Sequence, residues 1–323
     1  MDFPTDLKND PKDIERRGVL RSTTQKKIRS RVGILLSIYF DEGWSRIKRQ
    51  AILDCLSEYL AIFSNDLTHF QVGDEPKMRS YDSSGVPSPY LSLPDTPESE
   101  LAYVQMLAVD PKEPDDPSLW RFMALAQAKD NSMRPLSGVK AHFPPSFAFD
   151  DPDRFLSLIA GWCGKLAALH GSAGLGALSD PGRETRGDAY FYPWLTQYPA
   201  LEYDAMAMFF LESKDGGWRS PRSSNWLTML GKENVEALGG VEAIERKGGG
   251  HVSIESFDGG GLVLRAGRLP ALGNGPDGVP AAYRTAARII KPIRFEAYKW
   301  GVIKEPFPVD GPSVTLEWIR RFD

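Results

Sequence analysis

Between Trp44 and Phe63 nine apolar side chains, Trp44, Ile47, Ala51, Ile52, Cys55, Leu56, Tyr59, Leu60 and Phe63, recur every three or four residues. That spacing lines them along one face of an α-helix. Just before it, Val32 to Phe40 is an unbroken apolar run rich in β-branched residues, which suits a buried strand. Asp41-Glu42-Gly43 turns the chain between the two. A helix with one apolar face and an apolar strand must cover each other's surface or find another element to do so, which commits the chain to helices layered on a sheet.

Further along, Leu67 to Val72 alternates as a returning strand, and Pro76 to Pro97 is a Ser/Pro/Gly-rich loop. Glu98 to Val109 reads as helix running into strand. Trp120 to Ala126 and Val139 to Phe143 read as strands about a polar turn, Asp130 to Gly138. Asp150-Asp151-Pro152 opens a helix with a capping Asp and a Pro at the first helical position. It continues through Phe155, Leu158, Ile159, Trp162, Leu166 and Leu169, and Gly171 is placed to stop it. Ser172 to Leu178 follows as a strand, and Tyr190 to Tyr198 as a short aromatic helix.

The last third repeats the order of the first. Asn225 to Leu230 is a strand, Glu233 to Arg246 a helix weakened by Gly239-Gly240, and His251 to Phe257 a strand. Asp258-Gly259-Gly260-Gly261 then turns into the strand Leu262 to Arg265, and a helix from Pro280 to Ile290 ends at Pro292. The expected fold class is therefore α+β, with pseudo-duplicated strand-helix-strand-strand-helix units and antiparallel sheets covered on one face by helices. Residues 1–31 lack periodicity and read as a loose arm. Residues 32–300 read as a single α+β domain of two packed halves, about 32–180 and 200–300, and residues 301–323 as a C-terminal extension.

With 323 residues, 41% hydrophobic and 25% charged, the chain has the make-up of a folded globular protein. Its two cysteines, Cys55 and Cys163, each fall in an apolar helical pattern, so they read as buried free thiols in a reducing compartment. The N-terminal stretch has no apolar signal-like core, and the longest nearly apolar run is far short of the roughly 20 residues that span a bilayer. Cytoplasmic location without membrane association is the expectation. Net charge is −4, but residues 1–50 hold 12 Lys/Arg against 7 Asp/Glu, which leaves the remainder at −9. That acidic body suits a basic partner and disfavours nucleic acid.

Motifs with chemical content fail in context. Gly273-Asn274-Gly275-Pro276-Asp277-Gly278 matches a dinucleotide fingerprint, but Pro276 removes an N–H and Asp277 sets a carboxylate where a pyrophosphate would lie. A small-molecule or nucleotide enzyme built on residues 273–278 is the alternative to a binding protein. His170-Gly171-Ser172 resembles part of a nucleophile elbow, yet follows a helix and precedes a strand, the reverse of what that motif requires. Ser45-Arg46-Ile47-Lys48 lacks companion motifs. The four histidines are scattered without local metal-ligand spacing, and the Asp150, Asp151 and Asp153 cluster reads as helix capping. No catalytic residue, cofactor or metal is expected, and the chain reads as a binder.

Most functional content lies in Asp188 to Tyr198, where Tyr190, Phe191, Tyr192, Trp194 and Tyr198 put five aromatics in nine residues. Tyr and Trp are over-represented at binding hot spots. A helix of this length buries one face in any case, so core packing competes with docking. On the docking reading Asp188, Tyr190, Tyr192, Trp194, Tyr198, Glu202 and Asp204 contact a partner.

Several motifs resemble a bacterial family of type VI immunity proteins. They are Phe143-Pro144-Pro145, Leu169 to Gly174, Ala266-Gly267, Leu269-Pro270, Leu272-Gly273, Tyr283-Arg284 and Lys291-Pro292-Ile293-Arg294, spanning about residues 30–300. Asn274 departs from the Asp expected after Gly273. The resemblance implies an immunity-type domain that binds a toxic effector of the type VI secretion system and blocks its active site. It also implies a partner encoded next door, which would be a basic, cytosol-acting nuclease.

Overall fold

The computed structural model describes residues 2–73, 77–114, 116–131, 135–179, 188–275, 278–303 and 310–323. Its strands are β1 (Val19–Arg21), β2 (Ile28–Phe40), β3 (His69–Val72), β4 (Arg79–Ser80), β5 (Ala102–Leu107), β6 (Arg121–Ala126), β7 (Ser137–Phe143), β8 (His170–Leu178), β9 (Leu227–Leu230), β10 (Val252–Phe257) and β11 (Gly261–Ala266). All eleven join one sheet in the order β10-β11-β9-β8-β2-β7-β6-β5-β3-β4, with β1 paired to β2. Among the described residues every strand pairing is antiparallel. The fold is α+β, and the two expected units share this sheet, joined where β8 of the first pairs with β9 of the second.

β2 sits mid-sheet, with every residue from Val32 to Phe40 buried. Side chains alternate between the faces, so Ile34, Leu36 and Ile38, in register with Phe143, Ala141 and Val139 of β7, share one of them. The helix Arg46–Phe63 covers that side with the apolar face its spacing predicted. Tyr59 lies 5.4 Å from the Phe143 ring and 6.4 Å from Trp162 of the helix Pro152–Leu166. Both helices are capped as their sequences require: the Ser45 hydroxyl accepts from Lys48 N–H, and the Asp151 carboxylate from Arg154 N–H.

The other face carries Ser37 and Tyr39, opposite Lys140 and Gly138 of β7 and Ser172 and His170 of β8. It is covered as well, by residues 198–226, whose helix Met206–Ser213 sets Phe209 and Phe210 against the Tyr39 ring.

Several local readings shift. Glu98 to Leu101 forms no helix, and the strand begins at Ala102. The helix expected to reach Leu169 ends at Leu166, because Ala167 takes a left-handed conformation, φ 45°, and its N–H returns to the Cys163 and Gly164 carbonyls. Gly239 and Gly240, both at positive φ, split the expected 233–246 helix into Lys232–Ala237 and Val241–Gly248. The N-terminal segment read as a loose arm carries a helix, Pro11–Arg17, and β1. It buries Leu7, Ile14 and Leu20, side chains too widely spaced to show a period. The C-terminal residues form a helix, Gly311–Ile319, with Trp318 and Ile319 buried. Cys55 and Cys163 are buried free thiols.

Candidate functional site

Residues 198–204 are where both chain ends meet. Tyr198 donates its hydroxyl to the Pro4 carbonyl at 2.7 Å and accepts from Leu7 N–H at 3.1 Å. Trp194, one turn earlier in the helix Asp188–Gln197, meets Phe3 edge-to-face at 6.0 Å. From the other end, Arg321 donates to the Pro199 carbonyl at 2.8 Å while its guanidinium lies over Trp318. Burial lowers the Arg321 pKa to about 10, and the Glu202 charge opposes that fall.

Beneath this junction lies a charged network removed from solvent. Arg222 reaches the Glu202 carboxylate at 2.8 Å and that of Asp204 at 3.4 Å, and also donates to the Tyr203 carbonyl. Asp204 further accepts from the Ser37 and Tyr39 hydroxyls at 2.5 and 2.6 Å, while Lys140 donates to its carbonyl at 2.7 Å. Burial alone would raise the Asp204 pKa; Arg222, Lys140 and the two hydroxyls outweigh it and hold the carboxyl below the usual range. Burial works against the Arg222 charge too, and the two carboxylates reverse the balance and raise its pKa. Charges this deep persist only when paired and hydrogen-bonded.

The residues expected at a docking surface therefore divide. Trp194, Tyr198, Glu202 and Asp204 are interior, none more than 2% exposed, and they tie the sheet to both chain ends. Tyr192 is half-buried. Backbones of Asp188 and Tyr190 belong to the helix, and their side chains lie outside the described residues. Sequence reasoning missed Arg222 and Lys140, the cations that make buried Glu202 and Asp204 tenable. Nothing around Arg222 has a period, and the signal for Lys140 was its place between Val139 and Ala141 within a strand.

The other candidate motifs are structural as placed. His170 Nε2 donates to the Trp218 carbonyl at 3.0 Å, its ring stacks on Tyr39 at 4.9 Å, and burial lowers its pKa to about 4. Ser172 is buried in register with Ser37. At residues 273–278 the Gly273 backbone closes on Ala200, whose N–H donates to the Leu272 carbonyl at 3.1 Å, and Asn274 donates to the Leu7 carbonyl at 3.0 Å. Pro276 and Asp277 lie outside the described residues. Among the described residues no group of three or more His, Cys, Asp or Glu is placed to hold a metal ion, and no helix is long and apolar enough to cross a membrane.

In contrast to this interior, one end of the sheet presents an exposed platform of three connecting segments, residues 41–47 with the first turn of the helix Arg46–Phe63, 95–101 and 127–131. Arg49, itself buried, clamps two of them: its guanidinium donates to the Gly43 carbonyl at 3.2 Å, to Pro97 at 3.0 Å, to Glu100 at 2.6 Å and to Thr96. Lys129 attaches the third, with its N–H on the Glu98 carbonyl, its amine 2.7 Å from the Glu98 carboxylate and 4.5 Å from the Trp44 ring centroid. At this platform Ile47 is 79% and Leu101 42% exposed.

A solved structure of the Pseudomonas aeruginosa T6SS protein PA0821 matches 98% of this chain and 89% of its own, with a TM-score of 0.82 and 17% sequence identity, a likeness of fold. Among curated proteins no match is found. A family model described as "Type VI immunity for VRR-NUC" matches residues 51–322, most of the sequence and most of the sheet with its covering helices. The chain belongs to this family of type VI immunity proteins, TsiV.

Proposed function

We propose that this chain protects its cell by binding a VRR-NUC nuclease effector of the type VI secretion system in the cytoplasm and covering its active site stoichiometrically, with no turnover of its own. The observation that carries this reading is the family match over residues 51–322. The fate of the polar groups supports it: His170, Ser172 and the loop at Gly273 are used for packing and hydrogen bonding within the scaffold. A nuclease has to hold phosphate backbones with cations, and an acidic partner can compete for that surface.

The test is co-purification with the product of the adjacent reading frame, followed by titration of its DNA cleavage. Inhibition should saturate at one immunity protein per effector. Absence of a complex overturns the reading, and inhibition at far below equimolar amounts overturns occlusion.

A further inference from the structure

We infer that the platform formed by residues 41–47, 95–101 and 127–131 is the surface that docks on the nuclease, with Ile47 and Leu101 at its centre and a rim of carboxylates aimed at the effector's phosphate-binding cations. The inference rests on the immunity reading and assigns it a place on the molecule.

Three observations converge here. Ile47 stands on the outward face of a helix whose other side is core, and 79% exposure is unusual for a large β-branched side chain. Large apolar groups exposed within a polar rim mark interaction sites. Around it Glu42, Asp95, Glu98, Glu100 and Asp130 are exposed, against the exposed cations Arg46 and Lys129 in the described part of these loops. Both cations are already engaged, Arg46 with Asp95 at 3.1 Å and Lys129 with Glu98 at 2.7 Å. Residues 95–101 carry three carboxylates, Asp95, Glu98 and Glu100, and no Lys or Arg, so this part of the platform is acidic well beyond the chain average.

The third observation is rigidity. Arg49 is fully buried and holds four carbonyls from two loops, Gly43, Thr96, Pro97 and Glu100. Glu42 N-caps nothing but takes positive φ, 55°, to turn the first loop, and its carbonyl accepts from Ser45 N–H at 2.8 Å. Loops fixed this way lose little entropy on binding, and such preorganisation favours a tight complex.

The occupant follows from the charge. A nuclease's substrate face carries Lys and Arg spaced to meet phosphates, and exposed carboxylates around an apolar centre match such a face in sign. The same loops would block DNA by occupying its place, which accounts for inhibition without catalysis.

The experiment measures binding kinetics between a catalytically inactive form of the nuclease effector and four forms of this protein: wild type, Ile47→Lys, Glu100→Lys/Asp130→Lys, and, as a control on the helix Val241–Gly248 beside the edge strand β10, Glu242→Lys/Glu245→Lys. All of these positions are exposed, so folding should be unaffected, which thermal unfolding checks. Ile47→Lys should weaken the complex about thirtyfold or more by faster dissociation. The platform charge reversal should slow association about tenfold at low salt, with the difference shrinking at high salt, where charges are screened. The control should bind as wild type does.

Failure of wild type to bind sinks the immunity reading itself. Wild-type binding with Ile47→Lys and Glu100→Lys/Asp130→Lys both within threefold of it leaves immunity standing and overturns the platform. A loss confined to the Glu242→Lys/Glu245→Lys control places the interface at the helix beside β10 and overturns it equally.

Discussion

The Arg222 guanidinium meets the Glu202 carboxylate at 2.8 Å with 3% and 0% of the two side chains exposed, and Asp204 lies 3.4 Å from the same cation. One buried cation thus serves two buried carboxylates. Removing it leaves Glu202 without its ion-pair partner and Asp204 with only Lys140 and two hydroxyls against its burial, so Arg222→Met should cost about 3–5 kcal/mol in urea unfolding. Neutralising the acids as well, with Glu202→Gln and Asp204→Asn, should recover part of that loss, because a buried charge costs most when its partner is missing. A midpoint that does not move in Arg222→Met would show the network to be energetically idle.

Trp194 is expected to act through stability and not through the effector. Its ring is fully buried against Phe3, so Trp194→Ala should cost about 3–5 kcal/mol. The fraction that stays folded at low temperature should release the effector at the wild-type rate. Faster dissociation from a fully folded Trp194→Ala protein would return this segment to the interface.

How far the sequence could be read shows in these residues. The helix Arg46–Phe63 and strand β2 were legible because period and burial agree: the apolar stripe is the buried face, apart from Ile47, whose exposure only the structure reveals. Glu202 and Asp204 misled in the opposite direction. Acidic side chains beside aromatics default to the surface, and the reason they do not lie there, Arg222, stands in a stretch with no pattern and reaches them only through the fold. Leu7, Ile14 and Leu20 bury themselves by the same long-range logic. The platform was illegible because Arg49 falls on the helix's buried side, where a sequence pattern sees an interruption and not a clamp.

Ile290 tests the closing helix. It is fully buried in Ala281–Ile290, on the face shared with Tyr283 and Ala287, which packs on the β10–β11 hairpin. Ile290→Ala should lower stability by about 2–5 kcal/mol, read as a lower urea midpoint at unchanged slope.

Gly174 explains part of the Leu169 to Gly174 motif. A Cβ there would overlap Asn225 Oδ1, the atom that accepts from Trp226 N–H at 2.7 Å, while Asn225 Nδ2 donates to the Ala200 carbonyl at 3.1 Å. Gly174→Ala should therefore displace the link between β8 and residues 200–226 and cost about 1–3 kcal/mol by overpacking. Pairing it with Asn225→Ala should show non-additivity, since both changes act on one contact. Strict additivity in that cycle would mean that the strain is relieved elsewhere.

Two buried histidines fix the acid side of the stability profile. Burial lowers the pKa of His170 to about 4, and lowers that of His142 well below the ordinary histidine value with help from the Arg121 charge. Unfolded, both titrate near about 6.5. Between about pH 6.5 and 4 the unfolded chain binds protons that the native one refuses, so stability is fully present above that window and falls as pH drops through it. Asp204 adds a loss lower down: its folded pKa is depressed, so its contribution is present above the unfolded value of about 3.9 and disappears as pH falls through the folded one. Urea midpoints at pH 7.5, 6, 5 and 4.5 (about evenly covering the histidine window) should decline with acid. His170→Gln, which keeps a donor for the Trp218 carbonyl but carries no titrating ring, should remove a slope of about 1.4 kcal/mol per pH unit from that decline. Equal slopes in the two proteins would show that native His170 takes up its proton as readily as the unfolded chain does, against the burial of its ring beside Tyr39 and Phe209.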